Sequence, residues 1–297
     1  MLTAESLRGV YAAIVTPFGE DERLDEKALR RQTDYVIENG VHAIMSTGGT
    51  GEFPHLSREE RRDVTAVVVE AAAGRAPVIA GTAGCSTREA VALSQDAQQA
   101  GAAAVILTPT FYFKTPPEGL KRHFIDVADA LDVPVVVYNN PLYTGNPMPP
   151  PLIAGLLEHP RIIGCKQSED DMGQLVEVIR LANGRASVNT GIDSQFYPAL
   201  CAGARGIFST AAAVIPRQMA DIYDHFTSGR HAEARELHMK VQVLNRFLEY
   251  DPGYVAPCKE ALAMLGIPCG PVRKPLPPPP DEERAGVRGA LEELGLL

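Results

Sequence analysis

Two short apolar runs, each ending in a polar residue, decide the fold prediction: VPVVVY at residues 133–138 and RIIGCK at residues 161–166. Each run has the length of a buried strand, and the stretch between them contains a helical segment. A strand, a helix and a second strand in this order form a unit with parallel strands. The two runs therefore predict neighbouring strands whose polar ends, Tyr138 and Lys166, lie at the same edge of a sheet.

The same unit repeats along the chain from residue 10 to about residue 215. The predicted strands are Val10–Thr16, His42–Thr47, Pro77–Thr82, Ala103–Thr108, Val133–Tyr138, Arg161–Lys166, Ala186–Thr190 and Gly206–Thr210. The predicted helices between them are Leu24–Glu38, Ser57–Ala73, Thr87–Ala100, Pro117–Leu131, Pro149–Leu157, Asp171–Ala182 and Ser194–Ala202. Eight such units with continuous apolar strands predict an α/β fold, a (β/α)8 TIM barrel.

A doubly wound open sheet is the alternative fold. Its dinucleotide-binding form would place GxGxxG after the first strand, where residues 15–20 read VTPFGE.

Beyond Pro216 the alternation stops and only helical periods follow. The predicted helices are Arg217–Ser228, which completes the barrel, and then Ala232–Tyr250, Pro257–Leu265 and Asp281–Leu294. Prolines at 275 and 277–280 form a stiff connection to the last helix. We therefore expect a barrel over residues 1–230 and a helical C-terminal extension over residues 231–297.

Composition excludes several classes of function. The 297 residues carry 28 Lys and Arg against 37 Asp and Glu, a formal net charge of −9, which disfavours nucleic acid or an anionic membrane as partner. No run reaches the ~20 apolar residues of a membrane span, and the first residues do not resemble a signal peptide. The five cysteines show no CxxC spacing, which suits a reducing, cytoplasmic environment.

Lys166 is unusual because it ends an apolar strand. Strand alternation places it on one face with Ile162 and Gly164, and places Cys165 on the other face with Ile163. If the Gly164 face points into the barrel, the interior is poorly hydrated and favours a neutral amine that can form an imine. The alternative is a strand-end lysine that reaches solvent.

Tyr138 ends the preceding strand, and neighbouring strands lie ~4.8 Å apart, so its phenol can reach a substrate bound to Lys166. A tyrosine there can pass a proton to or from a substrate oxygen. The alternative is a core tyrosine with a solvated hydroxyl.

The segment Gly48–Gly49–Thr50–Gly51 follows the second predicted strand. Glycines let successive backbone N–H groups converge on an anion, and Thr50 adds a hydroxyl, so the segment can bind a carboxylate or a phosphate. It lacks the Walker lysine, which disfavours a nucleotide. A plain tight loop remains the alternative.

Three further polar residues, Ser168, Asp193 and Ser209, can line the same barrel mouth and hydrogen bond a polyhydroxylated chain. Each is equally suited to a cap or a turn, and Asp193 has the position of an N-cap for Ser194–Ala202. The seven histidines form neither HxH nor HExxH, so we expect no metal site.

With these residues the sequence resembles the family of class I aldolases that contains dihydrodipicolinate synthase and N-acetylneuraminate lyase. The matching segments are Gly48–Glu52, Leu107–Pro109, Glu118–Leu120, Tyr138–Pro141, Ile162–Lys166, Gly191–Asp193 and Gly206–Ser209.

The resemblance implies a (β/α)8 barrel with a helical extension, assembled as a homotetramer built from two dimers. It also implies a Schiff base between Lys166 and a 2-oxo acid such as pyruvate, without metal or separate cofactor. Tyr138 then relays protons, while Thr50 and the Gly51 amide bind the carboxylate. The backbone carbonyl of Phe208 corresponds to a family contact near the oxo acid.

Two departures disfavour the synthase among family members. Synthases that condense pyruvate with aspartate semialdehyde have two adjacent threonines in the glycine loop, whereas this chain has Gly49 at the first position. In those synthases the first threonine supplies one hydroxyl of a proton relay. Gly49 has no hydroxyl, so the relay is incomplete unless Thr47 or a water replaces it. Those synthases also have an arginine where this chain has Tyr143, and that arginine pairs with the carboxylate of the second substrate.

Other matches favour sugar acids. Ser168, Asp193 and Ser209 correspond to positions at which sugar-acid members contact substrate hydroxyls, and Gly191 belongs to the same group of expected binding residues. Tyr112 lies where the family lends an aromatic side chain to the neighbouring subunit's site.

We therefore expect reversible cleavage of a hydroxylated or 3-deoxy 2-oxo acid to pyruvate and an aldehyde. Alternatives are a keto-deoxy-sugar-acid dehydratase, the synthase itself, or a catalytically silent sensor of 2-oxo acids.

Overall fold

The barrel prediction is confirmed by a computed structural model, which describes residues 2–249 and 253–297. The strands are Gly9–Ala13 (β1), Ala43–Ser46 (β2), Val78–Gly81 (β3), Ala104–Leu107 (β4), Val135–Asn139 (β5), Ile162–Gln167 (β6), Ser187–Thr190 (β7) and Gly206–Ser209 (β8). They form a closed parallel barrel in sequence order, because β1 pairs with both β2 and β8. Closure excludes the open sheet.

Helices follow each strand and continue beyond the barrel. They are Glu26–Glu38 (α1), Arg58–Ala72 (α2), Thr87–Gln99 (α3), Pro117–Asp129 (α4), Pro141–Thr144 (α5), Pro150–Leu156 (α6), Met172–Ala182 (α7), Phe196–Cys201 (α8), Ala211–Val214 (α9), Pro216–Thr227 (α10), His231–Leu248 (α11), Val255–Met264 (α12) and Asp281–Glu293 (α13). The four-residue helices α5 and α9 were not predicted, since one turn is too short to show a period. The predicted end of a helix at Tyr250 lies outside the described residues.

The hydrophobic core has an inner and an outer part. The inner part fills the barrel with alternate strand residues, among them Tyr11, Met45, Ile106 and Phe208, and Leu7 packs with them. The outer part lies between strands and helices, so each strand is buried on both faces, as its continuous apolar sequence predicts.

The C-terminal helices pack on the barrel. One continuous cluster joins Ile14 and Phe18 to Leu244 of α11, Leu262 of α12 and Leu291 of α13. A domain division between residues 230 and 231 stays a prediction. None of the helices in the two described ranges is long and apolar enough to cross a membrane.

Strand β6 contains an irregularity that corrects one prediction. Its pairing with β5 shifts register between Val135 and Val136, so that Val135 faces Ile162 whereas Val136 faces Gly164. The extra residue turns Ile163 into the barrel and leaves Ile162 outside, opposite to the prediction. Beyond the bulge alternation holds, because Cys165 packs in the outer core.

Candidate active site

The two residues that decided the fold prediction are direct cross-strand neighbours. Tyr138 of β5 pairs with Lys166 of β6 in the barrel register. The Lys166 ammonium lies 4.2 Å from the centre of the Tyr138 ring and 5.9 Å from that of Phe208. Lys166 is only 6% exposed, which contradicts the alternative of a lysine extended into solvent.

Gly191 provides the room for the lysine side chain. A Cβ atom at this position would lie 2.2 Å from Lys166 Cε and 2.0 Å from Ser168 Oγ, far inside van der Waals contact. Any larger residue at position 191 would displace Lys166. Its role is therefore steric.

Tyr138 is an unusually acidic phenol. Burial by itself raises its pKa, but the positive charge of Lys166 and hydrogen bonds with neighbouring side chains outweigh burial and lower the pKa below the ordinary value. One of these neighbours is Asn140, whose Nδ2 donates to the phenol oxygen over 2.9 Å. A phenol in this state loses its proton more readily than a solvated tyrosine.

The glycine loop presents Thr50 to the cavity. The Thr50 side chain is buried, and its hydroxyl oxygen lies 2.9 Å from that of Thr210. The Thr16 hydroxyl donates to the Gly51 carbonyl over 2.7 Å and so fixes the loop. Within the part of the chain that the structure describes, the N–H groups of Thr50 and Gly51 donate to no acceptor. Free donors beside a hydroxyl suit an anionic ligand.

The back of the same loop is held by a buried ion pair. Glu52, in a left-handed conformation with φ 56°, places Oε1 2.7 Å from the Nζ atom of Lys259 on α12. Lys259 also donates to the Pro271 carbonyl over 2.7 Å and lies 4.4 Å from the centre of the Phe18 ring. The C-terminal extension thereby anchors the glycine loop.

Tyr254 is a site residue that the sequence analysis missed. It precedes α12 and lines the cavity, and its Oη would lie 2.8 Å from a Cβ atom at Gly49. Thr47, the expected replacement for the missing relay hydroxyl, donates instead to the Gly81 carbonyl over 3.0 Å. Only the absence of a side chain at position 49 could have signalled that another group fills this space.

Asp193 and Ser209 are buried and hydrogen bonded to each other. The other Asp193 oxygen accepts from the backbone N–H groups of Thr210 and Ala211, each over 3.1 Å. Asp193 thus holds the turn into α9, and its predicted role as N-cap of Ser194–Ala202 is wrong, because no side chain caps α8. Burial raises the pKa of Asp193 despite these donors.

The cavity has a volume of about 430 Å³ at the carboxyl ends of the strands. Lys166 is the single cation among its described lining residues, which include the acidic side chains of Glu169, Asp170, Asp171, Asp193 and Glu249. Burial, with the negative charge of Asp193, raises the pKa of Glu249 to about 7. Its Oε1 accepts from the N–H and hydroxyl of Ser194, each over 3.0 Å.

The structure brings most of the expected site residues together. Gly49, Thr50, Tyr138, Lys166, Ser168, Gly191 and Asp193 line the cavity. Tyr143, at the position of the synthase arginine, also lines it. Phe208 lies beneath Lys166, and Ser209 and Gly51 lie behind the lining. Tyr112 is 88% exposed and lies outside this cavity, so its contribution to a neighbouring subunit stays a prediction.

Comparison with known proteins agrees with this geometry. The sequence pattern of the dihydrodipicolinate synthetase family matches residues 6–294. A 4-hydroxy-tetrahydrodipicolinate synthase from Pelobacter propionicus is 38% identical over 292 residues, which cover 98% of this chain and 99% of that protein.

Two solved structures are similar over nearly their whole length. The dihydrodipicolinate synthase of Aquifex aeolicus has a TM-score of 0.93 and 33% identity, with 98% of this chain and 99% of that chain covered. YagE, a prophage protein of the dihydrodipicolinic acid synthase family from E. coli K12 solved in complex with pyruvate, has a TM-score of 0.94 and 29% identity, with 98% and 99% covered. The chain belongs to the dihydrodipicolinate synthetase family and is a lyase.

Proposed function

We propose that the chain forms an imine between Lys166 and a 2-oxo acid, with pyruvate as the common unit, and makes or breaks the carbon–carbon bond beside the imine. The observation that carries this proposal is the buried Lys166 in register with the acidic phenol of Tyr138. No salt bridge in the described ranges includes Lys166, which supports the proposal, because a paired carboxylate stabilises the ammonium form and an ammonium has no lone pair to attack a carbonyl.

The proposed steps use the groups around the cavity. The neutral Lys166 amine attacks the keto carbon, and the keto oxygen leaves as water after Tyr138 supplies a proton. The positive imine then draws electrons from the adjacent carbon, which gives a proton to the Tyr138 phenolate and becomes the carbon nucleophile of an enamine. The enamine carbon attacks an aldehyde in condensation, and the reverse step releases the aldehyde in cleavage. Water finally releases the 2-oxo acid product from Lys166.

The first candidate for the aldehyde is aspartate semialdehyde, the partner of pyruvate in 4-hydroxy-tetrahydrodipicolinate synthesis. Relatives named for this reaction are 36–39% identical to the chain. The proposal for this substrate rests on that similarity, since Tyr143 offers no positive charge to its carboxylate.

A second candidate, cleavage of a hydroxylated or 3-deoxy 2-oxo acid, is favoured by the charges of the cavity. Lys166 is the single cation among the described lining residues, which include several carboxylates. Carboxylates accept hydrogen bonds from hydroxyls but repel a second carboxylate. A neutral, hydroxylated aldehyde half therefore suits this cavity better than an anionic one. Dehydration of a keto-deoxy sugar acid would use the same imine.

The test begins with pyruvate and borohydride, followed by mass spectrometry of the trapped adduct. We expect a single adduct at Lys166 in the unmodified protein and none in Lys166→Ala. If the folded protein forms no adduct with pyruvate or with larger 2-oxo acids, that result contradicts the imine and favours a catalytically silent sensor.

The aldehyde half of the substrate is then assigned from initial rates, measured with pyruvate plus aspartate semialdehyde and with 3-deoxy-2-oxo acids. A higher kcat/KM for the semialdehyde identifies a synthase, and a higher value for the sugar acids identifies an aldolase or, if no pyruvate appears, a dehydratase.

We also propose the cytoplasmic homotetramer of two dimers that the family resemblance implies, with Tyr112 at a subunit contact. Light scattering of the pure protein gives the mass of the assembly, and a monomer in solution would contradict this proposal.

A further inference from the structure

We infer that Asn140 is a positioning residue for the reaction: its side-chain amide donates to the Tyr138 oxygen and stabilises the phenolate that remains when Tyr138 gives up its proton. The inference rests on the proposed function, in which Tyr138 gives a proton to the keto oxygen and later takes one from the adjacent carbon.

The contact between the two side chains is direct. Asn140 Nδ2 lies 2.9 Å from the Tyr138 oxygen. An amide nitrogen donates hydrogen bonds and does not accept them, so the phenol oxygen uses a lone pair for this contact and keeps its own proton for another partner. Both residues line the cavity, so a bound substrate can be that partner.

The place of Asn140 in the chain makes this use of its side chain unusual. Asn140 is the N-cap residue of α5, a position at which an asparagine side chain commonly accepts from an N–H group of the first turn. In the described chain, its side chain makes no such bond to α5. Its backbone is held by Thr144 instead, whose N–H and hydroxyl donate to the Asn140 carbonyl over 3.1 Å and 2.9 Å. The fold thus fixes the backbone of Asn140 and leaves the amide for Tyr138.

Asn140 and Lys166 support the phenolate in different ways. Burial raises the pKa of Tyr138, and the charge of Lys166 and the amide of Asn140 both lower it. Lys166 must lose its charge to attack a carbonyl, and its contribution to the phenolate is then gone. The amide carries no titratable proton, so it donates at every step of the reaction.

The proton that moves belongs to Tyr138, and Asn140 keeps both of its amide protons. The phenol proton goes to the keto oxygen, which leaves as water, and a proton from the adjacent carbon returns to the phenolate. A hydrogen bond to the charged oxygen is stronger than one to the neutral phenol. The contact with Asn140 therefore favours the step in which Tyr138 gives up its proton.

The first test is Asn140→Ala, which removes the donor and adds no charge. We expect the pKa of Tyr138 to rise by about one, the equivalent of one hydrogen bond to a charged oxygen. The ultraviolet difference spectrum between each protein and its Tyr138→Phe counterpart measures this pKa. An unmoved pKa would overturn the inference, and so would a lower one, because it would show that the phenol donates to the amide oxygen.

The titration isolates the effect of Asn140 from that of the other groups around the phenol. Among the described titratable side chains, Lys166 and Tyr254 interact electrostatically with Tyr138, and both are unchanged in the variant. Burial raises the pKa of Tyr254 well above the ordinary value, so it stays neutral while Tyr138 ionises.

Steady-state kinetics provide a second readout of Asn140→Ala. We expect kcat to fall about five- to tenfold, because the phenolate is less stable when Tyr138 gives its proton. The pyruvate concentration that half-saturates the borohydride-trapped adduct should change less than twofold, since Asn140 acts through the phenol. A rise in this concentration with an unchanged kcat would overturn the inference.

Two further variants separate the donor from the loop that carries it. Asn140→Asp keeps the shape but replaces the donor by a negative charge, so the pKa of Tyr138 should rise further than in Asn140→Ala. The matched control is Asn146→Ala, since the buried Asn146 amide donates to the carbonyls of Thr110 and Phe113, each over 2.8 Å. Asn146→Ala should lower the midpoint of thermal unfolding without moving the pKa of Tyr138. An equal rise of that pKa in the control would overturn the inference.

A double-mutant cycle shows whether Asn140 acts through Tyr138. In a Tyr138→Phe background, Asn140→Ala should have no further effect on kcat. An equal fall of kcat in both backgrounds would overturn the inference. An unmodified protein that forms no adduct with pyruvate would instead contradict the proposed function, while the titration of Tyr138 would still decide the contact with Asn140.

Discussion

Two lysines lie in the interior of the chain, and they differ in their partners rather than in their burial. Lys166 is 6% exposed and Lys259 is 4% exposed. Lys259 has a carboxylate of Glu52 at 2.7 Å and a backbone carbonyl of Pro271 at 2.7 Å. Lys166 faces the rings of Tyr138 and Phe208, and none of the ion pairs of residues 2–249 and 253–297 includes it.

The difference separates a lysine that anchors the glycine loop from Lys166, for which we propose an imine. Burial lowers the pKa of Lys259, and Glu52 opposes that effect, so the pair stays in place as an anchor. An ammonium has no lone pair, so a lysine held in its charged form by a carboxylate cannot attack a carbonyl carbon. Lys166 lies against two aromatic rings and forms no salt bridge in the described ranges.

The largest expected effect comes from Lys166→Ala. We expect turnover to fall by about 10³-fold or more, because no other amine in the described lining can form the imine. The midpoint of thermal unfolding should stay within a few degrees of the unmodified value. Steady-state kinetics and thermal denaturation measure the two quantities, and retained catalysis would contradict the assignment of Lys166.

Lys259→Met should lower stability and leave adduct formation in place, the reverse of what we expect for Lys166→Ala. Removal of one partner leaves Glu52 buried without its ammonium, which we expect to lower the free energy of unfolding by about 3 kcal/mol. The Lys166 adduct should still form in folded protein. Urea denaturation gives the stability, and the control is Lys259→Met with Glu52→Gln, which should be more stable than Lys259→Met alone.

Tyr138→Phe tests the phenol beside the reactive lysine. We expect kcat to fall about 10²-fold, the usual contribution of a general acid, while the adduct with pyruvate still forms slowly. Rapid-quench borohydride trapping measures adduct formation. A normal rate in Tyr138→Phe would remove this residue from the proton path.

Glu249→Gln tests a partly buried carboxyl that forms no ion pair within the described residues. The pKa of Glu249 rises from an ordinary 4.5 to about 7, so its ionisation destabilises the folded chain as pH increases through that range. We expect Glu249→Gln to be more stable than the unmodified protein by on the order of 2 kcal/mol at pH 8, with the difference gone below pH 4.5. Glu236→Gln, on the exposed face of α11, should show no such trend in urea denaturation across pH.

The barrel and half of the site were predictable because strand alternation and the position of strand ends are local properties. Lys166, Tyr138 and Thr50 all follow from that rule. The capping box of Ser57 and Glu60 at the start of α2 is a local feature of the same kind, since its two residues lie three positions apart.

Other features depend on contacts between distant residues. The register shift in β6 turns Ile163 inward because its partner strand has one residue fewer, which no pattern within 161–166 records. Tyr254 lies 205 positions beyond Gly49, so only the fold shows that they share one volume. Asp193 accepts from the backbone N–H groups of Thr210 and Ala211 at the start of α9, after the next strand, and does not cap the helix after its own strand.

The glycine loop has one more consequence, for engineering. Thr50 faces the cavity, while Glu52, two residues later, is fastened to Lys259 in the extension. The glycine loop of the eight-stranded barrel therefore depends on a helix outside the barrel. A designer who transplants this site into another scaffold must carry over α12 as well, since Thr50 and the anchored Glu52 belong to the same five consecutive residues, 48–52.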